Sequence, residues 1–206
     1  MSLVAYAIKG VALGLAIAAP LGPIGTLCIN RTLQRGFWAG VAGGLGTAFA
    51  DSLYAGLAAA GFAAFSAWLA DIDAPLRLFG GLAMLWLGWR SMRPQRPRPA
   101  AEIGARDLLG TVAATFLLTI ANPATILSFA IFFAGLGLAD TEDGLARLVV
   151  VVGVFLGSLV WWGILAGTVA YVRHRLPPRF ILWIGRGSGA VIMAFGILAV
   201  ISLAWR

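Results

Sequence analysis

The sequence predicts an all-α membrane protein with six transmembrane helices, arranged as a 3+3 inverted repeat in which helices 1 and 4 are broken. Three observations predict this fold class: an excess of apolar residues, six long apolar stretches, and loops whose charge alternates in sign. Hydrophobic residue types make up 61% of the 206 residues and charged types only 11%, against roughly 45–50% and about 25% in soluble domains. The chain therefore has too little polar surface for a water-soluble globule.

The counts of cysteine and histidine exclude several kinds of site. Cys28 is the only cysteine, so the chain has no intramolecular disulfide and no thiolate pair for zinc, and His174 is the only histidine. We therefore expect no cofactor and no metal. The net charge of +7 is typical of the basic loops that orient membrane proteins, so we expect no nucleic-acid partner.

Apolar stretches long enough to cross a bilayer, which takes about 20 residues, occur six times. An additional apolar stretch, residues 61–70, follows the second span and either prolongs that helix or lies in the membrane interface. The predicted spans cover approximately residues 3–25, 37–60, 76–89, 108–138, 148–172 and 180–204.

The loops between these spans alternate in charge. The first, third and fifth are basic, and the second and fourth are acidic. Basic loops face the cytoplasm in most membrane proteins, which places both termini in the periplasm. We predict one transmembrane domain over residues 1–206, with repeat halves 1–92 and 107–206 joined by a basic cytoplasmic linker at 93–106. The charges are Arg31 and Arg35, then Asp71 and Asp73, then Arg90, Arg93, Arg96, Arg98 and Arg106, then Asp140, Glu142 and Asp143, then Arg173, Arg175 and Arg179.

The two halves also resemble each other. Because three spans is an odd number, a duplicated half would be inverted relative to the first, as in many secondary transporters. Matches occur in the same order in all three helix pairs, which favours a duplication. They join Gly22-Pro23 to Asn122-Pro123, Gly46-Thr47 to Gly157-Ser158, Ala55-Gly56 to Ala166-Gly167, Gly81 to Gly189, and Gly88 to Gly196.

Spans one and four are predicted to break. Pro20 and Pro23 remove amide hydrogens while Gly22 eases the departure from helical geometry, and Pro123 acts similarly beside Asn122. Freed backbone groups at membrane depth are tolerated only within protein or beside a water-filled cavity. One such helix is readily explained as a proline kink, but a break in both repeat-related helices is typical of a substrate site.

Asp51 is the main candidate for a functional charge. It lies about 14 residues into span two, roughly 21 Å from its start at ~1.5 Å per residue, and therefore within the hydrocarbon. Such a carboxylate typically marks an ion path, a proton relay or a partner for a cationic substrate. The alternative is a structural carboxylate satisfied by neighbouring hydroxyls. Its counterpart in the second half is Trp162.

Other polar residues are candidates for a polar path or simply bond between helices: Asn30, Thr47, Ser52, Tyr54, Thr119, Asn122 and Thr125. From all of these, the predicted substrate or ion site comprises Asp51, Gly22, Pro23, Asn122, Pro123, Asn30 and Thr125.

The segments APLGPIGTLCINRTLQRG, GVAGGLGTAFADSLYAG and IANPATILSF resemble the LysE/RhtB family of amino-acid exporters of bacterial inner membranes. Gly22-Pro23, Asp51 and Asn122-Pro123 are the positions that match the family's motif. The resemblance implies a secondary transporter that exports amino acids or close derivatives, driven by the proton gradient or membrane potential. The form Pro20-Leu21-Gly22-Pro23 is closer to the basic amino-acid branch, so neutral and basic substrates both stay open.

Two other classes of function were weighed. A cation exporter or channel of a related superfamily is the alternative, although it would normally show His, Cys or several acids along its path. An intramembrane enzyme would need a second deep acid, a Ser/His pair or a metal cluster, so no enzyme is predicted. The expected partners are an amino-acid substrate, a proton or potential gradient and the bilayer, and the sequence leaves monomer and homodimer open.

Overall fold

The computed structural model describes residues 2–20, 22–93, 104–122, 125, 128, 129 and 143–203. Within these residues the chain is all-helical, with seven helices and no strand. The helices are α1 (Leu3–Ala18), α2 (Pro23–Arg35), α3 (Phe37–Ala60), α4 (Phe62–Met92), α5 (Ala105–Ile120), α6 (Gly144–Arg173) and α7 (Pro178–Ile201).

The first predicted span corresponds to two helices, α1 and α2, which meet at a bend of 79°. Ala18 ends α1, and Pro23 begins α2 at a position where its missing amide hydrogen costs no helical bond. The helical segment continues to Arg35, ten residues beyond the predicted end at Gly25 (35 − 25). It stops at Gly36, whose φ of 92° lies in the left-handed region that favours glycine.

The apolar stretch at 61–70 belongs to α4 and not to α3, which ends at Ala60. The predicted third span is therefore too short, because α4 begins at Phe62 and the supposed loop residues Asp71 and Asp73 lie within it. Alanine is the strongest helix former and is frequent in this stretch, which explains why the helix extends past the acids.

The remaining predicted spans correspond to α5, α6 and α7. The fourth was predicted to reach residue 138, but α5 ends at Ile120 and residues 130–142 lie outside the described part. Most of the predicted linker, residues 94–103, also lies outside it. By length and composition, α6 and residues Arg179–Ile201 of α7 can cross a membrane, and so can α1 and α2 taken as one bent span. The count of six spans stays a prediction.

Close helix packing depends on glycine. A Cβ atom added at Gly10 or Gly14 of α1 would collide with the backbone of α6, and one at Gly46 of α3 would collide with the backbone of α5. Helices α4 and α7 meet in the same way through Gly81 and Gly196. The contacts place α3 between α5 and α6, with α1 on α6 and α4 on α7.

The outward helix faces are apolar. Phe79, Trp183 and Leu198 are each at least 64% exposed. A soluble protein rarely exposes a large continuous apolar surface, whereas lipid-facing helices need one. This distribution agrees with a protein embedded in a bilayer.

Candidate functional site

Asp51 lies at the contact between α3 and α6 and is 1% exposed. The hydroxyl of Ser158 donates a hydrogen bond of 2.7 Å to its Oδ2 atom. Its Oδ1 atom is buried and has no hydrogen-bond partner. The hydrogen bond to Oδ2 agrees with a structural carboxylate that a neighbouring hydroxyl satisfies. The Oδ1 atom is available to a proton or a ligand.

A small cavity of about 40 Å³ borders Asp51. We call it the central cavity. It brings together five of the seven predicted site residues. Of the other two, Pro123 lies outside the described residues and Asn30 lies elsewhere. The lining residues are Ile17, Ala18, Pro20, Gly22, Pro23, Ile24, Gly25, Thr47, Asp51, Asn122, Thr125 and Trp162.

The N-terminus of α2 contributes one wall of the central cavity. Gly22 is its N-cap and offers no side-chain hydrogen bond to the first turn. The amides of Ile24 and Gly25 belong to that first turn, so they have no partner within the helix, and both residues line the cavity. A helix N-terminus carries about half a positive charge. This wall therefore favours an anionic group.

The C-terminal end of α5 approaches from the other half. The amide Nδ2 of Asn122 donates a hydrogen bond of 3.0 Å to the hydroxyl of Thr125. The phenolic hydroxyl of Tyr54 donates to the carbonyl of Ile120, the last residue of the helix. A helix C-terminus carries about half a negative charge. The cavity thus borders helix ends of opposite polarity.

Trp162 is a lining residue that the sequence analysis did not select as a site residue. It is 3% exposed, and its indole Nε1 is buried without a hydrogen-bond partner. A Cβ atom added at Gly44 would overlap the Trp162 side chain, so this glycine makes room for it. The sequence feature that could have identified Trp162 as a site residue is its alignment with Asp51 in the repeat.

Asn30 borders a second, larger cavity of about 470 Å³ at the end of α2, which we call the basic cavity. Its Oδ1 accepts a hydrogen bond of 2.7 Å from Gln34. The charged lining residues are Arg31, Arg35, Arg90, Arg106 and Asp107.

The other predicted polar residues separate into two groups. The Thr119 hydroxyl lies 3.5 Å from that of Thr47, which lines the central cavity. Ser52 lies away from it and donates to the carbonyl of Phe49.

Comparison with known proteins gives consistent matches. The chain is 28% identical to the putative amino acid efflux protein YcgF of Bacillus subtilis (strain 168) over 196 residues, which covers 90% of each chain. It is 32% identical to the uncharacterized membrane protein YahN of Escherichia coli (strain K12) over 82% of this chain and 77% of the relative. It is 26% identical to the threonine efflux protein of the same strain over 78% of this chain and 80% of the relative.

No solved structure gives a significant match. The family described as LysE type translocator matches residues 15–203, nearly the whole chain. Both broken-helix motifs and Asp51 fall within the matched region. The chain belongs to the LysE type translocator family, and it is a membrane transport protein rather than an enzyme.

Proposed function

We propose that this protein exports amino acids or close derivatives across the bacterial inner membrane, driven by the proton gradient. The central cavity is the substrate and ion site. The observation that carries the proposal is Asp51, a buried carboxylate with one unpartnered oxygen, beside two helix ends of opposite polarity.

The chemistry of a buried carboxylate supports this role. A charge within a membrane is costly and is retained where it binds a cation. Ser158 satisfies only one oxygen of Asp51, so a proton or a substrate ammonium is a suitable ligand for the other. The relatives named as amino acid and threonine efflux proteins support amino acids as the substrate class.

The proposed architecture is the 3+3 inverted repeat, and paired glycine contacts support it. At the α4/α7 contact a Cβ atom at Gly81 would lie 3.0 Å from the carbonyl oxygen of Gly196, and one at Gly88 would lie 2.7 Å from that of Gly189. In the sequence alignment Gly81 corresponds to Gly189 and Gly88 to Gly196. Exchanging the halves therefore converts one contact into the other, as a two-fold axis requires.

A second pair of contacts behaves in the same way. An added Cβ at Gly157 of α6 would meet the carbonyl of Val11 and the amide of Leu15 in α1. At the aligned Gly46 of α3 it would meet the carbonyl of Val112 and the amide of Phe116 in α5. Val11 and Leu15 of α1 therefore correspond to Val112 and Phe116 of α5. This correspondence is displaced by one residue from the one that aligns Gly22 with Asn122. The break between α5 and Asn122 is where such a displacement is easily accommodated.

Transport through the central cavity requires it to open. Its volume of about 40 Å³ holds only one or two waters at ~30 Å³ each, whereas small-molecule sites occupy ~300–1,000 Å³. The basic cavity reaches that size at the end of α2. A cluster that includes Leu13, Tyr54 and Phe129 packs near the other end of the spans. We propose that the basic cavity is the cytoplasmic entrance and that both termini are periplasmic.

Efflux from reconstituted vesicles tests the substrate class. Vesicles loaded with radiolabelled amino acids are placed in a pH gradient, and release is compared with that from protein-free vesicles. We expect gradient-dependent release of at least one amino acid. Release of a loaded monovalent cation such as rubidium, with no release of any amino acid, would contradict the proposal and favour the cation exporter.

A further inference from the structure

We infer that Trp162 and the N-terminus of α2 form a carboxylate-binding end of the central cavity, while Asp51, once it has released the driving proton, binds the ammonium. The ligand class is then a zwitterionic α-amino acid rather than an amine or an organic anion. This inference rests on the proposed function and adds the groups that recognise the substrate.

Trp162 supplies a hydrogen-bond donor without a partner. Indole Nε1 can only donate, and a donor that is buried without a partner is destabilising. Packing fixes the ring, since Trp162 clusters with Ala18, Ile24 and Cys28 around the space left by Gly44. Trp162 lines the central cavity, so an unpartnered donor on a ring held in this way favours a ligand acceptor.

The first turn of α2 supplies further donors on the same cavity. Ile24 belongs to the cluster that holds Trp162, so the helix end and the indole are neighbours. The Thr26 hydroxyl donates to the carbonyl of Pro23 rather than to a first-turn amide. The amides of Ile24 and Gly25, together with the helix dipole, suit a carboxylate.

The charges of the cavity require both groups of the ligand. The lining contains the Asp51 carboxylate, and Ser158 and Trp162 are one helical turn apart on α6, so they lie on one face. A ligand with only an ammonium would leave the indole and the α2 amides unpaired. A ligand with only a carboxylate would leave Asp51 unpaired and repel it. A zwitterion satisfies both.

Transport of paired substrates tests this inference. Purified protein is reconstituted, and the KM for efflux is measured for L-threonine, L-leucine and L-lysine, each beside its carboxamide, which lacks the carboxylate. The variant Trp162→Phe removes the donor and keeps an aromatic ring. The matched control is Trp161→Phe, because Trp161 also has a buried unpartnered Nε1 but does not line the central cavity.

We expect Trp162→Phe to raise the KM of the transported amino acid about tenfold or more, the usual effect of losing a hydrogen bond to a charged group. The KM of its amide should change little, and Trp161→Phe should change neither. Equal effects on acid and amide, or no effect of Trp162→Phe, would overturn the inference and leave amino-acid export standing. Where the wild type exports none of these three, the pair is taken from an amino acid that it releases in the vesicle assay above, and a wild type that releases no amino acid at all would overturn the proposed function and this inference together.

Discussion

Asp51 is the only buried carboxylate among the side chains that the structure describes. Its two oxygens differ, because Ser158 donates to Oδ2 while Oδ1 has no partner. A residue held only for stability would be expected to have both oxygens satisfied, since unpaired buried polar groups are costly. The asymmetry supports the proposal that Asp51 binds a ligand.

Replacing Ser158 with Ala tests how far that hydroxyl positions the carboxylate. Losing a hydrogen bond to a charged group costs about 1.5–3 kcal/mol, so we expect a lower melting temperature and a several-fold lower export rate. Melting of the purified protein and efflux from vesicles measure the two effects. Ser52→Ala is the control, because that hydroxyl bonds locally to Phe49 away from the central cavity. If the two variants had the same melting temperature and the same export rate, Ser158 would not be part of the site.

The sequence predicted those residues of the site whose type is unusual deep within a membrane. Asp51, Pro23 and Asn122 are such residues, and the structure brings them to one cavity. Asn30 is also polar, but it lies two helical turns beyond Pro23, past the predicted end of the first span, and borders the other cavity. Trp162 was missed because a tryptophan in a membrane helix is unremarkable until its indole nitrogen is found without a partner.

At the level of helices, the break between α1 and α2 creates the polar end that faces the cavity. Replacing Pro23 with Ala lets the preceding turn continue and should bury the first-turn amides within a helix. We expect export to fall at least tenfold while membrane abundance stays unchanged, measured by efflux and by immunoblot. Asn122→Ala and Pro123→Ala should act alike in the second half. Gly22→Ala adds a methyl group where nothing lies within 4 Å, so an effect there comes from the backbone or from the methyl group occupying the cavity that Gly22 lines.

Pro75→Ala provides the matched control for these helix breaks. Pro75 also lies within a helix, α4, but does not line the central cavity. Export by Pro75→Ala should equal that of the wild type. Normal export by Pro23→Ala and the two variants of the second half would return both breaks to simple proline kinks.

The glycine contacts give a prediction about packing. Valine at Gly46 or Gly157 would force a Cβ into the backbone of the neighbouring helix, whereas the position of Gly163 on α6 is open. Overpacking of this kind costs about 1–3 kcal/mol or more. We expect Gly46→Val and Gly157→Val to lower the melting temperature by similar amounts and Gly163→Val to leave it unchanged. Clearly unequal losses at Gly46 and Gly157 would count against the equivalence of the two contacts.

Helix existence was easier to predict than helix bounds. Long apolar stretches located α6 and α7 within a few residues. The start of α4 differs from the prediction because the charges of Asp71 and Asp73 indicate a loop, whereas both residues lie inside a helix that begins at Phe62. The extension of α2 to Arg35 was missed because its composition is polar, and its contacts with α3, α6 and α7 hold it in place.

For the whole molecule, the orientation in the membrane follows from loop charge and is open to direct test. In a Cys28→Ala background, single cysteines replace Arg96, Arg175 or Glu142, and intact cells are treated with an impermeant thiol reagent. We expect labelling at position 142 and protection at 96 and 175, because basic loops are retained in the cytoplasm. The reverse pattern would invert the protein and make the basic cavity a periplasmic exit.

The fold class follows from composition, whereas the arrangement of helices does not. A membrane helix can pack on several neighbours through similar small residues, so the sequence could suggest a duplication but not its axis. The contacts of Gly81 with Gly196 and of Gly88 with Gly189 support the proposed two-fold axis. Glycine is abundant in this chain, so the number of glycines predicts little. The positions of these four glycines, however, identify where two helices meet.

Efflux by Asp51→Asn under varied pH gradients tests most directly whether the central cavity couples protons to amino-acid export. The asparagine keeps the shape and removes a costly membrane charge, so the variant should insert normally. We predict that wild-type efflux and that of the control Asp71→Asn, an exposed acid of α4, increase with the gradient. Asp51→Asn should lose this dependence and most of its export. Wild-type rates in Asp51→Asn at every gradient would contradict the assignment and make Asp51 a structural residue.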